Sequence, residues 1–156
     1  MLMLKTRKKG LTLIEVLVSV TIVAILAAGL FVVGNYIDTQ IKVERTKATI
    51  NLLVTALDQY FDFYHKFPVP IDANELSYNR LSAAPDAKKI IDQINRKAME
   101  KEGSGMSADV RFIDAWGKRF RYEYKDEWNF PVIISAGHDK DFDDPNDKDN
   151  ISSKGL

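Results

Sequence analysis

Six aspartates, Asp139, Asp141, Asp143, Asp144, Asp147 and Asp149, crowd one short stretch near the C-terminal end. Like charges at that density repel one another, so the stretch stays disordered unless a cation neutralises it. Dense hard oxygens suit Ca²⁺, which takes six to eight oxygen ligands at about 2.3–2.6 Å in a flexible shell; Mg²⁺ fits less well. The ligands expected from the sequence are Asp141, Asp143, Asp144, Asp147 and Asp149. Asp139, Asp141 and Asp143 have the spacing of the first three ligands of an EF-hand loop, but Asp144 stands where that loop needs glycine and Asn150 where it needs glutamate. An EF-hand is therefore excluded. A solvated acidic tail is the competing reading.

Catalytic chemistry has less to work with. The chain holds no cysteine and two histidines, and Ser135, His138 and Asp139 are the one local grouping that resembles a nucleophile with its base. A triad is defined by geometry rather than by neighbouring positions, so no enzyme is expected. Without cysteine there is neither a disulfide framework nor a thiolate metal site. A formal net charge of zero leaves no global basic field to attract nucleic acid.

The remaining unusual residue is Glu15, the one ionisable group between Leu11 and Val33. That apolar run is long enough to cross a hydrocarbon core of about 30 Å. A carboxylate there costs about 2.5–3.5 kcal/mol on insertion scales unless it meets a partner; the alternative is that Glu15 snorkels to the interface. Lys5, Arg7, Lys8 and Lys9 precede the run, which places the N-terminus in the cytoplasm and the bulk of the protein outside. Ala24, Ala27, Ala28 and Gly29 allow close helix approach without requiring it.

A secretory signal peptide is cut after its apolar stretch. Here Lys8-Lys9-Gly10-Leu11-Thr12-Leu13-Ile14-Glu15 resembles the type IV prepilin signature, in which a basic leader ending in glycine is removed and the new terminus methylated. The resemblance implies cleavage by a prepilin peptidase between Gly10 and Leu11. It also implies that Glu15 meets the terminal amine of a neighbouring subunit, so that the chain is a homo-polymer.

These residues need elements to hold them. Ile37, Ile41, Ala48, Leu52, Leu53, Ala56, Leu57, Tyr60 and Tyr64 recur at three- and four-residue steps, so the helix is predicted to continue to about His65, where Phe67-Pro68-Val69-Pro70 stops it. Phe61, Phe63, Tyr64 and Phe67 are expected as a core stripe, and a continuous helix is expected through Phe31-Val32-Val33. A loop follows with a short turn at Glu75–Leu81. A second helix is predicted from Asp86 to Lys101, with Ile90, Ile91, Ile94 and Ala98 inward and Gly103-Ser104-Gly105 ending it. Arg111–Ile113, Lys118–Lys125 and Phe130–Ser135 are predicted as strands, with Phe120, Tyr122 and Tyr124 alternating against Arg119, Arg121 and Glu123. Trp116 is expected as a core anchor. Arg119 and Arg121 are expected on a solvated face beside Glu123, Asp126 and Glu127.

The chain thus reads as α+β, a long helix packed by its second half on a small antiparallel sheet. Its expected divisions are a leader at 1–10, a membrane or filament-core half-helix at 11–36, and a globular domain at 37–156 containing the acidic segment 137–150. The Ala56-Leu57-Asp58-x-Tyr60, Asp114-x-Trp116-Gly117 and Ser135-x-Gly137-x-Asp139 patterns are similar to those of the major pseudopilins of type II secretion systems. That resemblance implies a pilin-like fold, one Ca²⁺ in the acidic loop, a short periplasmic filament that drives protein export, and minor pseudopilins and an inner-membrane assembly platform as partners. A type IV pilus or competence pilin, and a membrane-anchored calcium-binding protein that never polymerises, are the alternatives.

Overall fold

A computed structural model describes residues 12–70, 74–103, 108–125, 127–143 and 149–156. The chain divides into two compact units, Met1–Asp38 and Thr39–Leu156, and α1, Leu13–Tyr64, contributes residues to both. In the first unit Leu13–Leu30 forms a helical stretch long and apolar enough to cross a membrane, with none of it buried against other parts of the protein. Its exposed Leu, Ile and Val side chains therefore need another apolar environment.

In the second unit, α1 buries Thr46, Ile50, Leu53, Ala56 and Leu57, residues spaced to lie on one helical face. The helix ends where His65 takes a left-handed φ of 53° and donates its N–H to Phe61 O at 2.7 Å; Pro68 then prevents continuation. The predicted aromatic stripe holds only in part. Phe67 is buried, but Phe61, Phe63 and Tyr64 are 39%, 57% and 37% exposed. At about 100° per residue Phe63 turns well away from the face set by Ile50, Leu53 and Leu57, whereas Phe61 and Tyr64, four and seven positions after Leu57, keep that face and are exposed in the last turn of the helix. Ile37, Ile41 and Ala48 are likewise exposed.

Ser77 begins the short helix α2, Tyr78–Leu81, by accepting from Asn79 N, as an N-cap serine should. Pro85 opens α3, Pro85–Ile91, where its missing N–H costs nothing. The helix predicted to reach Lys101 stops ten positions early. Ile94 N bonds Ile91 O, the Asn95 side chain accepts from Lys97 N to start a 3₁₀ turn at Arg96–Ala98, and Met99–Glu102 becomes strand β1. A side chain that bonds its neighbouring backbone competes with helix, and the tertiary partner β2, Asp109–Phe112, decides the outcome.

β1 and β2 form an antiparallel pair with Met99 opposite Phe112. A second sheet has the order β3-β4-β5, all antiparallel, with β3 at Arg121–Glu123, β4 at Val132–Ser135 and β5 at Ile151–Ser152. The strand predicted at Arg111–Ile113 begins two residues earlier and ends one earlier, as β2, those predicted at Lys118–Lys125 and Phe130–Ser135 are shorter, as β3 and β4, and β5 carries no sequence signal. Isolated bridges Glu75–Arg121, Ser77–Arg111 and Ile113–Arg119 join the sheets to their flanks. Phe112, Phe120, Tyr122 and Ile133 pack with the α1 face, Leu81 and Ile91 in one apolar core. The Tyr122 hydroxyl donates to Pro68 O at 3.0 Å, and burial pushes its pKa up. Trp116 packs against this core, although its indole Nε1 is buried with no hydrogen-bond partner among the described residues.

Candidate functional site

The acidic segment leaves β4 through a turn built on two buried residues. Asp114, at the end of the β2 region, accepts from Trp116 N at 3.0 Å and Lys118 N at 2.9 Å through Oδ1, while its Oδ2 accepts from Ser135 Oγ at 2.7 Å. Ser135 Oγ in turn accepts from Gly137 N at 3.1 Å. These bonds give the Asp-x-Trp-Gly and Ser-x-Gly patterns a single physical role, which is to satisfy a carboxylate that is nine-tenths buried or more. Neighbouring Ala115 N donates to Thr46 Oγ1 at 3.2 Å, fixing the turn on α1.

Gly137 has φ +66°, and a Cβ there would lie 2.5 Å from Asp149 O. The bare backbone lets Asp149 close over the turn. Asp149 Oδ2 accepts from His138 N at 2.7 Å and from Asp139 N at 3.3 Å. Further along, Asp139 Oδ1 accepts from Asp141 N at 2.8 Å and Asp141 Oδ1 from Asp143 N at 3.1 Å, a succession of Asx turns. Asp143 meets the Arg121 guanidinium at 3.1 and 3.5 Å, and Arg121 also stacks over Phe142 at 4.2 Å from the ring centroid.

The expected calcium ligands therefore divide. Asp141, Asp143 and Asp149 are brought to one segment with backbone or guanidinium partners, whereas Asp144 and Asp147 lie outside the described residues. Among the described residues no three His, Cys, Asp or Glu side chains converge as a metal shell would require. The described carboxylates alone do not fit a calcium site. Ser135 and His138 do not pair either: Ser135 is buried on Asp114, while His138 is exposed.

Arg121 keeps the expected neighbour Glu123, at 3.9 Å, whereas Arg119 is drawn into a network of other acids. Arg119 bonds Glu100 at 2.7 Å, Glu75 at 3.1 Å and Glu102 at 3.3 Å. The buried Arg111 pairs with Glu102 at 3.0 Å and Asp109 at 3.1 Å. The network holds the Arg119 pKa up, chiefly through Glu100. Glu75 and Glu102 come from distant segments, which sequence proximity to Glu123, Asp126 and Glu127 could not reveal.

At the other end of the chain, Glu15 lies in the first turn of α1. Its Oε2 accepts from Thr12 N at 3.4 Å, and Thr12 Oγ1 accepts from Glu15 N at 3.3 Å. This is a capping box, in which each side chain satisfies the other residue's orphan N–H. The Thr-x-x-Glu spacing before an apolar run is the sequence signal of this cap. Deeper in the helix, Ser19 and Thr21 return their hydroxyls to Glu15 O and Leu17 O at 2.7 and 2.8 Å, leaving the following turns polar-satisfied and apolar outside. Gly10 and Leu11 lie outside the described residues.

Residues 5–31 match the prokaryotic N-terminal methylation motif. The motif is typical of type IV pilin-like, prepilin-type proteins in general, and it implies processing by a prepilin peptidase. It covers the basic cluster, the capped helix start and the apolar helix as one unit. No curated protein and no solved structure matches the chain. The methylation motif, the one membrane-length helix among the described residues and the α+β architecture with its long N-terminal helix are those of a prepilin-like, membrane-anchored structural protein with a pilin-like fold.

Proposed function

We propose that the protein is a subunit of a type II secretion-like pseudopilus, a filament assembled from the inner membrane to drive protein export. The observation that carries this reading is the combination at the start of α1: a methylation motif over residues 5–31 followed by a membrane-length helix with no internal burial and an acid in its first turn. In lipid that carboxylate needs a compensating charge. Cleavage after Gly10 creates an amine at Leu11, and adjacent copies bring amine and carboxylate together. The globular unit is extracytoplasmic on this reading, supported by the basic residues that precede the helix. The three sequence patterns around Asp58, Asp114 and Ser135 favour the pseudopilus over a type IV pilus.

The test is crosslinking through a cysteine placed in the apolar helix, since the natural chain has none. Wild-type membranes should give ladders of oligomers, and Glu15→Gln should abolish them while membrane insertion persists. Ladders of equal yield in both would remove the charge-pairing account, and a single band in both would favour a monomeric anchor. Calcium belongs to this reading as a proposal. Its support is the density of hard oxygens, and a complete shell must draw on Asp144 and Asp147 in addition to the described residues.

A further inference from the structure

We infer that Arg121 is the built-in counter-ion of the acidic segment, and that its pairing with Asp143 and Phe142 docks residues 138–143 on the β-sheet without a metal. Arg121 sits on β3, where it is registered against Ile134 of β4 on one side and bridged to Glu75 on the other. Its backbone is thus fixed by two neighbours. Its guanidinium reaches both carboxylate oxygens of Asp143, at 3.1 and 3.5 Å, and its Cζ lies over the Phe142 ring, 4.2 Å from the ring centre. Lys118 approaches the same ring at 5.7 Å. Phe142 is half-buried, so the ring wedges against the sheet while the next residue takes up the charge.

Only a planar, permanently charged fork can stack on a ring and bond a carboxylate side-on together. The other arginines of this surface are committed elsewhere: Arg111 to Glu75, Glu102 and Asp109, and Arg119 to Glu75, Glu100 and Glu102. A divalent cation on Asp143 would have to share its carboxylate with the guanidinium already bonded to it. Asp143 is therefore a latch residue of the segment. Because the Asp143 side chain is 80% exposed, the pair contributes little to global stability. Its effect is local: it holds the turn in which Asp143 N bonds Asp141 Oδ1.

The inference is independent of filament assembly and is tested by hydrogen exchange on the full-length protein in detergent, stripped of metal with a chelator. Wild-type amides at Asp141 and Asp143 should be protected, and Arg121→Gln should raise their exchange about threefold, the scale that loss of one exposed local pair supports. Arg121→Lys should fall between the two. Asp143→Asn, at an exposed position, should reproduce the glutamine variant while leaving amides of β4 unchanged, which separates a released latch from a disturbed sheet. Free exchange in the stripped wild type, protection appearing only with calcium, or unchanged protection in both Arg121→Gln and Asp143→Asn would overturn the inference.

Discussion

Asp114 Oδ2 accepts a hydrogen bond from Ser135 Oγ at 2.7 Å, and both residues are buried. Replacing Asp114 by Ala would strand that hydroxyl and the N–H groups of Trp116 and Lys118, which bond its other oxygen. Unpaired buried donors cost about 1–3 kcal/mol each, so Asp114→Ala should lose about 3 kcal/mol or more in urea unfolding. Asp114→Asn, which keeps an acceptor for the two amides, should lose markedly less. Equal losses would mean that the charge, rather than the acceptor geometry, is what the turn requires.

Gly137→Ala tests the close approach of Asp149. The added methyl would meet Asp149 O at 2.5 Å on a backbone with φ +66°, a conformation that L side chains rarely adopt. Strain and displacement together should lower stability by about 1–3 kcal/mol, or roughly 4 °C in melting temperature for each kcal/mol in a domain of this size. Near-wild-type melting would show that Asp149 swings away without cost.

Acid should weaken the ionic network in a defined window. Hydrogen bonds from Arg111 and then Arg119 hold the Glu102 carboxyl below its ordinary value. A group whose folded pKa is depressed stabilises the fold above its unfolded pKa, about 4.3 for glutamate, and loses that contribution as pH falls through the folded value. The melting-temperature gap between wild type and Glu102→Gln should therefore be constant from neutral pH to about pH 5 and close below about pH 4. A gap that widens on acidification would contradict the pairing.

Calcium should raise the melting temperature of the chelator-treated protein if the acidic segment binds it. A ligand selective for the folded state at a hundredfold excess over its Kd contributes about 2.7 kcal/mol. Asp141→Asn should reduce the effect, because only one oxygen of Asp141 is used in the turn to Asp143. No shift at millimolar calcium would end the calcium proposal and leave the Arg121 latch as the means of neutralisation.

Local signals carried much of this into the sequence. The period-two alternation around Phe120 and Tyr122 identified both buried positions, because a sheet covered on one face enforces it. Leu53, Ala56 and Leu57 were legible as the inner face of α1. Met99–Glu102 was not, since its charged side chains carry no strand signature and its state depends on pairing with β2. The same limit hid β5, whose two residues are too few for any periodicity, and the link from Arg121 to Asp143, which only tertiary folding creates. Phe63 shows the opposite error, in which residue type suggested a core that helical rotation denies, and Phe61 is exposed although it keeps the inner face.

β4 and β5 pair directly, with Ser135 opposite Ile151, so the chain between them begins and ends at adjacent points of the same sheet. Lengthening a loop whose ends are already held costs slowly growing entropy, about 0.6 kcal/mol for each doubling. That junction is consequently the natural splice point for a foreign peptide or epitope, tolerant of cargo that would unseat the helix or the paired strands.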